Sequence, residues 1–354
     1  MKLNKKNKII AVYGFGHFYI DFVCNFSISA ILLFNLTNLN FNNFVFLIIA
    51  YNLLQLATQP FFGLLMDYYN KPKLGAILGL ILTCLGGALI FNPLIAIPVF
   101  AIGNAIYHVA GGLISLRLEP GKSFYPGMFV GPGAMGLFLG VSMKYLDIMS
   151  LTFFAAITFL VGLYLLFLLL KCKVEVKEKK IITKTHKSNF VFWCACLLLV
   201  SVGMRSVLYG TFVLSWSKIW IYGLLLAIAI TLGKMLGGYF ADRYGWKKVG
   251  MIGLLTAVPL MTVFAHLPLL AMIGAFCFNL VMPITLTALA NLMPKYKATA
   301  FGLTAMALIL GSYILAFFKK IIVINNLFVV IVLIINVMSL FLGLYNERKN
   351  VEKI

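Results

Sequence analysis

Apolar runs of about 20 residues recur along almost the whole chain, broken only by short polar or Pro/Gly stretches. A run of that length crosses the ~30 Å hydrocarbon core of a bilayer as a helix. Lipid offers the backbone no outside partner, so helices are the only element these runs can form there. The runs fall at about 9–35, 43–66, 74–91, 93–115, 126–144, 149–170, 189–213, 218–240, 249–265, 267–293, 298–317 and 321–344. They predict an all-α membrane protein with 12 transmembrane helices. Only 11% of the 354 residues are charged, against about 25% in soluble domains, which excludes a soluble globular enzyme.

The formal net charge is +20, a value that in a soluble chain would point to nucleic acid. Its distribution points elsewhere. Of the 29 Lys and Arg, 23 fall in the N-terminus, the even-to-odd loops and the C-terminus, among them Lys71, Lys73, Arg117, Lys122, Arg243, Lys247 and Lys248. Lys144, Lys218, Lys319 and Lys320 fall in the opposite loops, and Arg205 and Lys234 lie within apolar runs. Such a bias predicts cytoplasmic termini in the cytoplasmic membrane, with no nucleic-acid partner. The basic start (Lys2, Lys5, Lys6, Lys8) mimics a signal peptide, but the apolar run behind it is long enough to stay as the first helix. No pair of the six cysteines has zinc or redox spacing, so no metal, disulfide or cofactor is expected.

The basic stretch 172–188 divides the chain into 1–171 and 189–354, each with six apolar runs. The halves repeat without gaps at an offset of 175 residues: Gly63 matches Gly238, Asp67 matches Asp242, Tyr69 matches Tyr244, Lys73 matches Lys248, Asn104 matches Asn279, Gly127 matches Gly302, and Gly136 matches Gly311. This predicts two pseudo-symmetric six-helix bundles in parallel repeat, joined by a cytoplasmic linker.

At the end of the second run stands Gly63-Leu64-Leu65-Met66-Asp67, and at the end of the eighth Gly238-Tyr239-Phe240-Ala241-Asp242-Arg243-Tyr244-Gly245. In these motifs, and in its helix pattern throughout, the sequence resembles the major facilitator superfamily. The resemblance implies a loop that latches one conformation through a charge relay of Asp242 and Arg243. The first copy lacks the Arg and the second Gly, so Asp67 is expected to latch less securely. Gly127, Gly131-Pro132, Gly133 and Gly136 in the fifth run resemble the exporter-type motif of the superfamily, with Met135 in place of one Gly. Glycines at four-residue spacing permit close helix packing, and the proline bends the helix. Gly103-Asn104-Ala105-Ile106-Tyr107-His108 is similar to the fosmidomycin-resistance branch of exporters but names no substrate.

Ionisable groups inside a span are costly and usually functional. At 1.5 Å per residue, Asp21 and Asn104 fall roughly 18 Å from the cytoplasmic end, Asn279 roughly 22 Å, Arg205 roughly 24 Å, and His17 and His108 roughly 12 Å. All six lie on helices 1, 4, 7 and 10, which the resemblance implies line a central cavity. His17, Asp21 and Asn25 share one face at i, i+4, i+8. Asp21 and His17 are expected to carry a proton, and Arg205, Lys234, Asn104, His108 and Asn279 to contact substrate. The whole predicts a monomeric proton-coupled secondary transporter of a small anionic or amphipathic molecule, with export favoured over uptake of an organic anion. A membrane-embedded enzyme would need a clustered nucleophile, metal or phosphate loop, and no such spacing occurs.

Overall fold

A computed structural model describes residues 4–35, 41–142, 148–174, 188–318 and 325–344. The linker residues 175–187, and Lys144, Lys319 and Lys320, lie outside the described residues. The described residues contain helices and no strand. These are α1 (Lys5–Asn35), α2 (Phe41–Asn52 running through a π-helical turn, Leu53–Ala57, into Gln59–Tyr69), α3 (Pro72–Ala88), α4 (Pro93–Leu118), α5 (Phe124–Ser142) and α6 (Ile148–Lys171). Then come α7 (Ser188–Thr211), α8 (Trp220–Tyr244), α9 (Trp246–Thr262), α10 (Pro268–Asn279 and Val281–Leu292), α11 (Lys297–Phe318) and α12 (Asn326–Gly343). Among the described residues, 10 spans are long and apolar enough to cross a membrane, and Pro72–Ala88 is a shorter apolar helix. The chain is therefore a multi-pass, all-helical membrane protein with about 10 to 12 apolar helices.

Local chemistry sets where the helices start and stop. Pro60, Pro72, Pro93 and Pro268 occupy first-turn positions, where a missing N–H costs nothing. Gly245 turns the chain from α8 into α9 at φ 96°. Asn70 does the same between α2 and α3 at φ 52°, with its N–H on the Met66 carbonyl at 3.0 Å. Asn70 stands 175 residues before Gly245. The first copy of the motif thus replaces its glycine with the residue type that best tolerates a left-handed backbone, and the turn survives the substitution.

Packing repeats at the same offset. Helix α1 runs along α5, and α7 along α11; α3 runs along α4, and α9 along α10. The most extensive contacts between the halves of the sequence are α5 against α8 and α2 against α11, with smaller ones of α4 against α11 and α5 against α10. Glycines make the two larger crossings close. A Cβ on Gly127 would lie 2.6 Å from the Lys234 carbonyl oxygen, and one on Gly302 would lie 2.5 Å from the carbonyl carbon of Gln59, the repeat equivalent of Lys234. The spans of α4, α1 and α10 are the most buried, at 67%, 61% and 61%, whereas those of α2 and α6 are 17% buried. Three of the four polar-bearing helices are therefore the central ones, with α7 intermediate at 39%.

Candidate functional site

Asp21 of α1 is the hub of the polar interior. Its Oδ2 lies 3.2 Å from His17 Nε2 one turn earlier, and its Oδ1 lies 3.5 Å from His108 Nε2 on α4. The Asn104 amide donates to Asp21 Oδ1 at 3.1 Å and reaches Cys24 Sγ at 3.6 Å. The two imidazoles meet edge to face with centroids 4.2 Å apart. Spacing of four on each helix brings this set together: His17 with Asp21, and Asn104 with His108. Asn25, one turn beyond Asp21, donates its amide to the Asp21 carbonyl of its own helix at 2.8 Å.

The outer nitrogens of both rings are fixed. His17 Nδ1 lies 2.7 Å from the Phe129 carbonyl of α5, and His108 Nδ1 lies 2.9 Å from the Asn104 carbonyl. A carbonyl oxygen can only accept, so Nδ1 carries the hydrogen in each ring. In the neutral form, both Nε2 atoms then present bare lone pairs to the Asp21 carboxylate. That arrangement is repulsive until a positive charge joins it.

Helix α5 closes the site from behind. A Cβ on Gly133 would collide with His17 Nε2 and lie 2.5 Å from Asp21 Oδ2, so only glycine leaves room for the cluster. Gly136 and Gly140 press on the α1 backbone at Phe18 and Phe22. Gly127 and Gly131 use another face of α5, against Lys234, Met235 and Thr231 of α8. The glycine motif therefore serves two neighbours, and Pro132 sits between them beside an apolar groove that includes Gly14, Phe18, Met128 and Met235.

Arg205 of α7 is 6% exposed, and its Nη1 has no hydrogen-bond partner among the described residues. Lys234 of α8 is half-buried, and its charge is within reach of Asp21, Arg205 and His108. Asn279 of α10 packs close to Gly233 of α8, the chain neighbour of Lys234. Its amide is spent on the Ala275 carbonyl of its own helix at 2.8 Å. Gln55 and Gln59 were not singled out by polarity within the span, although Gln59 aligns with Lys234. Both have buried side-chain oxygens without a partner among the described residues, Gln55 within the π-helical turn of α2 and Gln59 just after it. Such turns often mark functional positions, and the repeat alignment of Gln59 with Lys234 is the sequence signal that points there.

At the end of the bundle that carries the motif, each motif Asp caps a helix of the other half. Asp242 accepts from Ser123 N at 2.9 and 3.0 Å, Ser123 Oγ at 2.9 Å, Phe124 N at 2.9 Å and Trp246 Nε1 at 3.0 Å. Ser123 N and Phe124 N are the amides at the start of α5. Asp67 accepts from Ala298 N at 3.0 Å, Thr299 N at 2.9 Å and Thr299 Oγ1 at 2.8 Å, at the start of α11. The donating amide pairs, Ser123 and Phe124 against Ala298 and Thr299, are related by the 175-residue offset. Arg243 takes no part: its guanidinium donates to Tyr239 at 2.9 Å and lies over the Tyr244 ring. The partner of each carboxylate is a helix N-terminus, so the missing Arg in the first copy costs Asp67 none of its bonds.

The Major Facilitator Superfamily model matches residues 11–316. The chain belongs to the major facilitator superfamily. Superfamily membership points to a membrane transporter of small molecules. In fold it is similar to FucP, a superfamily transporter solved in the outward conformation, at 17% identity over 98% of this chain and 99% of that one, TM-score 0.67. A variant of the E. coli fucose:proton symporter FucP gives 15% identity, 96% and 98% coverage and TM-score 0.65. The human organic anion transporter MFSD10 (TETRAN) gives 13% identity, 96% and 100% coverage and TM-score 0.66. No curated protein sequence matches the chain.

Proposed function

We propose that this superfamily member is a proton-coupled secondary carrier of a small anionic or amphipathic molecule, working by alternating access between two six-helix bundles. The bundles are residues 1–171 and 189–354, with 12 crossings in all and 172–188 as the cytoplasmic linker. One observation carries the reading. Arg205 is a guanidinium withdrawn from water without a hydrogen bond to Nη1 among the described residues. An uncompensated buried charge costs several kcal/mol, a cost that makes sense where a ligand supplies the missing partner. Lys234 adds a second positive charge within reach. Together they suit an anionic group, with the Asp21 cluster facing it from α1 and α4.

In this reading Asp21 and His17 carry the coupling proton, and a proton is also the simplest cation to relieve the lone pairs that face Asp21. Asn104 and His108 orient it. Asn279 contributes polarity to the substrate path from α10. Asp67 and Asp242, backed by Gly131 and Pro132 in α5, hold one end closed without a bond from Arg243. Export is the direction preferred, on the glycine pattern of α5. The carrier works as a monomer in the cytoplasmic membrane, with both termini inside.

The test is transport into proteoliposomes across an imposed pH gradient, using a panel of small anions with their neutral analogues. Accumulation of an anion that needs the gradient, and disappears in Asp21→Asn, supports the reading. A panel that moves only neutral compounds, or moves anions equally in Arg205→Ala, removes it.

A further inference from the structure

The two locked imidazoles and the carboxylate also have the composition of a metal centre. We infer that His17 Nε2, His108 Nε2 and an Asp21 carboxylate oxygen form a binding site for one divalent transition-metal ion. All three ligand atoms lie within 4.8 Å of one another. The two carboxylate-to-imidazole separations are 3.2 and 3.5 Å. Ligands at the usual zinc distances of about 2.0–2.1 Å, set tetrahedrally, stand roughly 3.3 Å apart. Two edges of the triangle are therefore already at bonding size, and the third closes by a small rotation of rings that are in contact.

Three further features favour a metal over an incidental cluster. First, ligating histidines characteristically donate their other N–H to a carbonyl or carboxylate. His17 does so to Phe129 and His108 to Asn104, and both bonds hold Nε2 as the free lone pair. Second, Asn104 is 1% exposed and its Oδ1 has no hydrogen-bond partner among the described residues. Its amide lies against Asp21 Oδ1, so exchanging the two amide ends would offer that orphaned oxygen as a further ligand. Third, Gly133 leaves open the space beside His17 and Asp21 that a Cβ there would enter. Imidazole with carboxylate suits zinc and its first-row neighbours, whereas magnesium and calcium favour all-oxygen cages. Lys234, whose charge reaches Asp21 and His108, opposes a cation here and so tunes its affinity.

Metal binding is measured without transport, so its outcome is independent of the carrier reading. The full-length chain in detergent, stripped with chelator, is titrated with zinc chloride by calorimetry, with magnesium chloride as the control. The expected result is one zinc per chain and no magnesium. Affinity falls by more than about tenfold in His17→Gln and in His108→Gln, since even outer-shell changes reach that size. Lys234→Met strengthens binding, a change that a purely structural role for the cluster would not produce. X-ray absorption on the wild-type zinc complex is expected to show nitrogen and oxygen ligands only, which keeps the test decisive even where a histidine variant fails to fold. Absence of saturable zinc binding, the result that a proton-only cluster gives, would overturn the inference. So would sulfur ligation by the cysteines, or full binding in the His17→Gln/His108→Gln double variant, which keeps His186 and His266.

Discussion

Replacing Asp242 with Asn tests whether the ends of α8 and α5 are held by a charged helix cap or by the arginine that follows it. The carboxylate takes hydrogen bonds from Ser123 N, Ser123 Oγ, Phe124 N and Trp246 Nε1, all between 2.9 and 3.0 Å. A hydrogen bond to a charged group contributes about 1.5–3 kcal/mol net, and a lost N-cap costs about 1 kcal/mol. The amide of Asn keeps one accepting oxygen and loses the charge that favours the helix N-terminus. The closed arrangement should therefore lose about 2 kcal/mol relative to one in which the two helix ends part, or roughly 30-fold. An open population of ~1% would rise to roughly a quarter.

Spin labels on Cys introduced at the exposed positions Lys122 and Tyr244, in a background free of the native cysteines, report the separation. Asp242→Asn should add a longer-distance population, and Asp67→Asn should do the same at the α2–α11 end, where the carboxylate binds Ala298 and Thr299. Arg243→Ala should change the distribution by less than about 0.5 kcal/mol, the ordinary size of an exposed substitution. An Arg243→Ala effect as large as that of Asp242→Asn, or an unchanged distribution in Asp242→Asn, would refute the capping account.

Asp21→Asn should abolish gradient-driven accumulation while leaving substrate exchange, read as counterflow at zero pH gradient; uphill transport at the wild-type level would refute the proton role. Arg205→Ala should weaken inhibition by anionic substrate analogues by about tenfold or more, the value of a charge-assisted bond, and spare neutral ones; equal losses would refute the counter-ion role. Gly136→Ala should lower thermal stability in detergent by about 1–3 kcal/mol, because its Cβ meets the Phe18 carbonyl. An unchanged melting temperature would show that α1 and α5 do not pack as closely as described.

The helices were legible because lipid allows one solution for a long apolar run, and their ends agree with the expected bounds to within a few residues. The turn at Asn70 was less so. Reading the first motif copy as damaged missed that Asn can adopt the left-handed backbone, and that a helix N-terminus can replace an arginine. The His17–Asp21 pair followed from helix spacing alone. Its junction with Asn104 and His108 did not, because contact between α1 and α4 depends on packing that no local pattern encodes. The Phe129 carbonyl that orients His17 is a backbone atom, and sequence carries no mark for it. Asn279 shows the opposite failure. Its repeat partner Asn104 joins the cluster, yet Asn279 bonds its own helix, so the repeat predicts position without predicting partner.

Counterflow is the most direct measurement of the account's centre, that buried charges on α1, α4, α7 and α8 serve the passage of a small anion through a carrier. Proteoliposomes preloaded with an unlabelled candidate anion are given a trace of the labelled compound outside. The account predicts a transient, saturable overshoot of label that Arg205→Ala loses. Flux that never saturates, or label converted to a new compound, would contradict it.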